Sequence, residues 1–190
     1  MTNTLKSLLA AMLVVFTFHS AHADEYDDTR TVFKNAGESG AFFDHAYGYA
    51  LFPTIGKAGM GVGGAHGSGR VYAGGVRVGD TKMTQLTVGF QLGGQAYSQV
   101  IFFEDKRAFD DFTSGNFEFG AQATAVAITA SAGASANTGG GAQAGAAGGR
   151  NDASTVSSGY RKGMAVFTVA KGGLMYEATL GGQKYSFTPK

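Results

Sequence analysis

The sequence predicts a mainly β, α+β domain: an antiparallel twisted sheet, barrel-like or sandwiched, with short N-terminal helices and one inserted helix. Three observations carry that expectation. From Tyr47 onward the apolar pattern has a period of two, most clearly where Leu86, Val88, Phe90 and Leu92 alternate with Gln85, Thr87, Gly89 and Gln91. Glycine supplies 31 of 190 residues, against a usual share of about 7%, with no collagen period. Helical spacing is confined to the N-terminal segment and to a short stretch after Phe103.

The first 23 residues read as a secretory signal peptide. Lys6 is their one charge, the apolar run Leu8–Phe18 follows, and Ala21-His22-Ala23 offers small residues for cleavage before Asp24. The run is short for a membrane span, which needs about 20 apolar residues. Residues 24–190 then form one domain of ordinary size. Removing Lys6 takes the formal charge from +1 to neutral, which argues against a nucleic-acid partner. The chain has no cysteine, so disulfides, thiolate metal sites and catalytic thiols are excluded. Export without disulfides suits a bacterial periplasm or envelope.

Asp24–Ala46 predicts one or two helices, with Ser39 capping the second and Gly48 stopping it. The segment is acidic, and the remaining chain is correspondingly basic. A parity switch at Gly74-Gly75 predicts a β-bulge, and Gly93-Gly94 a hairpin turn. Val100-Ile101-Phe102-Phe103 is apolar on both parities, which predicts a central strand covered on both faces. Glu104–Thr113 predicts a helix capped by Asp105 and ended by Gly115. Small residues then alternate from Phe117 to Ala127. Residues 131–149 form a Gly/Ala-rich tract with no large apolar side chain, expected to be a flexible loop. Closing strands are expected at Met164–Ala170, Leu174–Leu180 and Lys184–Thr188, with turns at Gly172-Gly173 and Gly181-Gly182.

The stretch Tyr47–Gly69 is the candidate site. Gly59, Gly61 and Gly63 would leave one strand face bare, and glycine weakens a strand unless something approaches its backbone closely. A helix, a second sheet or a lipid chain would fill that face. Gly59–Gly64 also matches a dinucleotide fingerprint, but that reading needs a helix at its last glycine, and turn-like Ala65–Gly69 follows. His66 and Ser68 lack a nucleophile elbow and an orienting partner. Asp44-His45, Glu104-Asp105 and Asp110-Asp111 lack metal-ligand spacing. No catalytic, metal or cofactor site is expected. Burial of an acyl chain on the bare face would supply about 0.8 kcal/mol per methylene, with Lys57 and Arg70 as headgroup contacts.

Five blocks together resemble the SYLF domain family of lipid-binding proteins. They are Tyr47–Pro53 (YGYALFP), Gly56–Gly69 (GKAGMGVGGAHGSG), Gly89–Gly94 (GFQLGG), Phe117–Ala123 (FEFGAQA) and Met164–Gly182 (MAVFTVAKGGLMYEATLGG). Lys57 matches the family's lysine before the glycine strand, and Phe52-Pro53 its F-P pair. The resemblance implies non-catalytic binding of a phospholipid or membrane surface; joined to the bare strand face, it makes Phe52, Lys57, Gly59, Gly61, Gly63 and Arg70 the expected contact residues. Where eukaryotic relatives carry a basic amphipathic helix, this chain carries an acidic segment. Export removes it from cytosolic phosphoinositides and from actin, which some fungal relatives contact. The competing expectations are a small outer-membrane β-barrel and a structural envelope protein without a lipid ligand.

Overall fold

The computed structural model describes residues 24–120, 123, 125–128, 159–171 and 180–190, without the side chains of 60–61, 87–93 and 126–128. The expected signal peptide, the 131–149 tract and most of the Leu174–Leu180 strand lie outside the described residues.

Three short helices lead the domain: α1 (Glu25–Asn35), α2 (Gly37–Gly40) and α3 (Phe42–His45). Asp24 caps α1 by accepting from the Tyr26 N–H at 3.3 Å. Ser39 does not cap the second helix. It is buried inside α2, where its hydroxyl donates to the Phe33 carbonyl at 2.6 Å. A long ribbon follows, formed by β1 (Gly48–Ala73) and β2 (Val76–Phe103) paired antiparallel along their length. Helix α4 (Lys106–Thr113) is capped by Asp105, which accepts from the Ala108 N–H at 2.8 Å. The remaining strands are β3 (Phe117–Glu118), β4 (Val126–Ile128), β5 (Met164–Lys171) and β6 (Gln183–Pro189).

The sheet is a curled, largely antiparallel half-barrel in the order β3-β6-β2-β5-β4, with β1 on β2. Strand β2 carries two partners on its other edge: β6 along Gly79–Gln85 and β5 along Ala96–Phe103. Among the described strands only β4 runs parallel to its neighbour, β5.

Gly74-Gly75 is the ribbon's hairpin turn, not a bulge: both glycines have positive φ, and Ala73 pairs with Val76. A two-residue type I′ turn requires positive φ at both positions, which glycine adopts without strain. Gly93-Gly94 is not a turn; both residues sit inside β2, opposite Gly59 and Ala58. Residues 65–69 likewise continue β1. Pro53 occupies a register shift between Phe52 and Ile55, a position that spares the ladder its missing N–H.

The ribbon folds back on itself near Gly59–Gly63. A Cβ on Gly59 would strike the Gly63 Cα. On Gly67 it would lie 2.6 Å from Ile55 Cγ1 and 2.9 Å from the Thr54 carbonyl, and on Gly69 2.7 Å from the Phe52 ring and 2.8 Å from the Leu51 carbonyl. Gly48 meets the Tyr72 carbonyl in the same way, and the Gly74 N–H reaches the Tyr47 carbonyl at 3.4 Å. The second half of β1 therefore lies antiparallel against its first half, with the Phe52 and Ile55 side chains directly beneath its glycines.

Two cores result. Inside the curl, Phe52, Ile55, Met83, Ile101, Phe103 and Tyr185 pack with Ala108 and Phe112 of α4. On the outer face, Tyr49, Leu51, Phe102 and Phe167 pack under Phe33 of α1 and Phe42 and Phe43 of α3. Val100–Phe103 is fully buried between the two, as the two-sided apolar run requires. Phe102 meets the rings of Phe42, Phe43, Tyr49 and Phe167 at centroid distances of 5.4, 4.8, 6.1 and 6.0 Å.

The alternation around Gln85 is inverted. Gln85 points into the curl, and Leu86 faces out with 74% of its surface exposed. The interior admits Gln85 because partners await it. Its amide donates to the Gly181 carbonyl at 2.8 Å, and its carbonyl oxygen lies 3.5 Å from Gln183 Nε2. Gln183 also reaches the Tyr97 hydroxyl at 3.3 Å, while Gln99 donates to the Tyr185 hydroxyl at 2.7 Å. This polar cluster ties both halves of β2 to β6, and buried polar groups of this kind need such partners.

Candidate functional site

Where the two arms of the ribbon cross near the bend, they leave an open groove of about 630 Å³. Its walls are Gly56–Ala58 and Gly64–His66 of β1, Gly94–Ala96 of β2, and Lys171 at the end of β5. The glycines that line it differ from those that close the ribbon. A Cβ on Gly56 would meet nothing within 4 Å, one on Gly64 only the Gln85 carbonyl at 3.5 Å, and one on Gly94 only the Lys57 carbonyl at 3.8 Å. These glycines keep a surface low and open, whereas Gly48, Gly59, Gly67 and Gly69 admit the protein's own backbone or core side chains.

The groove is basic. Lys57 sits half-buried opposite Gln95, and among the described residues no acidic partner is found for it. His66 stands exposed in strand β1, opposite Thr84, and not in a turn. Lys171 reaches across to the start of α1: its ammonium lies 3.1 Å from Glu25 Oε1 and 2.6 Å from Thr54 Oγ1. The Thr54 hydroxyl donates to Glu25 at 2.7 Å. That hydrogen bond, and then the Lys171 ammonium, hold the Glu25 carboxyl below the usual range.

The structure separates the six residues singled out from the sequence. Lys57 lines the groove. Gly59 and Gly63 lie at the bend beside it, with Gly61 opposite Gly89. The near neighbour of Gly59 is the chain's own backbone. Phe52 is fully buried, its ring 5.6 Å from that of Tyr185 and directly beneath Gly69. Arg70 does not line the groove. It pairs with Asp24 and stacks over the Tyr26 ring at 3.8 Å, and the Asp24 hydrogen bond raises its pKa. The same contact lowers that of Asp24.

Sequence reasoning did not bring Gly56, Gly64, Gly94, His66 and Lys171 together. They come from four separate stretches: strand pairing sets Gly56, Gly94 and Lys171 side by side, and the bend adds Gly64 and His66. The one available signal was the repeated pairing of a glycine with a polar or basic neighbour, in Gly56-Lys57 and Gly94-Gln95. Among the described residues no cluster of three or more His, Asp or Glu could hold a metal ion, and no helix is long and apolar enough to cross a membrane.

A curled β half-barrel, closed by glycines and opening one basic groove at its bend, defines the class. The family model described as "Ysc84: Las17-binding protein actin regulator" matches residues 84–188, and the chain belongs to this SYLF family. It is also similar to Beta cell expansion factor A of Aeromonas veronii, with 28% identity over 155 residues. That match covers 75% of this chain and 46% of the relative, so the chain spans about half the relative's length.

Proposed function

We propose that the protein binds phospholipid headgroups at the bend groove, without catalysis, as an exported component of the bacterial envelope. The observation that carries this reading is the groove: a glycine floor too low to exclude a ligand, walled by Lys57, His66 and Lys171. A phosphate group suits such a site because it can accept from several ammonium and imidazole donors at once. Lys171 is held by Glu25 only at an exposed pair, and such pairs contribute at most about 1 kcal/mol, so an anionic headgroup can replace the carboxylate. Apart from Glu25, the acidic N-terminal helices take no direct part; they cover the outer face of the sheet. That cover also favours a peripheral binder over an outer-membrane barrel, whose outer face must meet lipid. The actin regulation named in the family description does not extend to this exported chain.

Flotation of the purified protein with vesicles tests the reading. Vesicles rich in phosphatidylglycerol should carry the protein, pure phosphatidylcholine should carry much less, and added salt should weaken the first. Lys57→Glu with Lys171→Glu should reduce binding by roughly tenfold or more, about 1 kcal/mol being expected for each basic residue near an anionic surface. Binding that ignores both lipid charge and the double substitution would contradict it.

A further inference from the structure

We propose that the outer face of the ribbon beside the bend is the surface that enters a bilayer, with Leu86 and Val62 placed at the headgroup–acyl boundary. The proposal rests on the headgroup reading above and assigns its orientation. Leu86 and Val62 are 74% and 62% exposed, among the most exposed large apolar residues described. They stand on one face: Val62 pairs with Val88 and Leu86 with Gly64, which makes them diagonal neighbours about 7–8 Å apart. Gly64 has no side chain to cover Leu86, and helix α1 meets this face further along, where Tyr26 reaches Ser68 and Arg70.

The outward turn of Leu86 follows from the polar interior. Gln85 is committed to the buried cluster with Gln183 and Gly181, so the next residue must face out. The sequence nevertheless keeps leucine there instead of the polar residue an aqueous strand face would carry. Basic groups border the pair. His66 and Lys82 occupy the same face, opposite Thr84 and Ser68, and Lys57 and Lys171 line the adjoining groove. The acids near that face are paired: Asp80 with Arg77, Asp24 with Arg70, and Glu25 with Lys171. Apolar residues bordered by basic side chains are the arrangement that an anionic bilayer surface fits.

Because the chain has no cysteine, one introduced thiol carries a probe cleanly. Leu86→Cys bearing an environment-sensitive fluorophore should shift to the blue on phosphatidylglycerol vesicles and be quenched by brominated acyl chains. The same probe at Asn35→Cys, exposed on α1, should do neither. Leu86→Asp should weaken vesicle binding roughly tenfold and leave the melting temperature unchanged. Vesicle binding with an unaltered Leu86 probe would overturn the orientation and leave the headgroup reading standing. A blue shift that grows with protein concentration and needs no vesicles would overturn it in favour of contact between copies. Absence of any lipid binding would remove both.

Discussion

Gly69→Val is expected to prevent the chain from folding, and Gly64→Ala to leave its stability almost unchanged. At Gly69 even the first added carbon would lie 2.7 Å from the Phe52 ring and 2.8 Å from the Leu51 carbonyl. The ring cannot retreat, because it is fully buried against Tyr185, and the carbonyl belongs to the paired arm of β1. Overpacking usually costs about 1–3 kcal/mol; here two branches are added where backbone and core must both shift, so the loss should exceed about 4 kcal/mol, a large part of a typical domain's stability. At Gly64 the nearest atom is 3.5 Å away, an ordinary contact. Urea unfolding of the two variants beside the parent checks the contrast. Equal midpoints for Gly69→Val and the parent would contradict the folded-back ribbon.

The second large effect is an alkaline transition. Burial raises the pKa of Tyr185 and Tyr97, and pushes Tyr160 up to about 12. Among the described residues the Tyr160 hydroxyl has no hydrogen-bond partner. For a phenol the folded state then holds its proton when the unfolded chain, with pKa about 10, has released it. Stability is therefore complete below about pH 10 and falls as pH rises, by about 1.4 kcal/mol per pH unit for each sealed phenol. Two or three phenols acting together should unfold the domain between about pH 10 and pH 12. Tyrosinate absorbance and strand circular dichroism should change in one cooperative step; early, gradual ionisation of all the tyrosines would show that these three are not sealed.

The parts of the fold legible in the sequence are those governed by local rules. Asp105 announces α4 because a carboxylate three residues before Ala108 can take its N–H. Val100–Phe103 announces a central strand because no one-sided sheet tolerates apolar residues on both parities. Gly181-Gly182 marks a turn in sequence and structure alike. What was hidden depends on the bend. Gly74-Gly75 and Gly93-Gly94 look alike as dipeptides, yet the first turns the ribbon and the second runs straight through β2. Gly59 does have a close neighbour, but it is the chain's own backbone at Gly63. At Gly67 and Gly69, too, the close neighbour is Leu51–Ile55 of the same strand. Gln85 and Leu86 exchange their expected sides because the interior holds a hydrogen-bonding cluster. The register shifts at Phe52/Ile55 and Gly59/Gly61 break the period-two bookkeeping that places Lys57 beside Lys171.

Backbone amide shifts during titration with a short-chain phosphatidylglycerol, below its micelle concentration, test the groove assignment most directly. The account predicts perturbations gathered at Gly56–Ala58, Gly64–His66, Gly94–Ala96 and Lys171, with a saturable dependence on lipid. Shifts confined to helices α1–α3, or no shifts at lipid concentrations that bring vesicles and protein together, would contradict it.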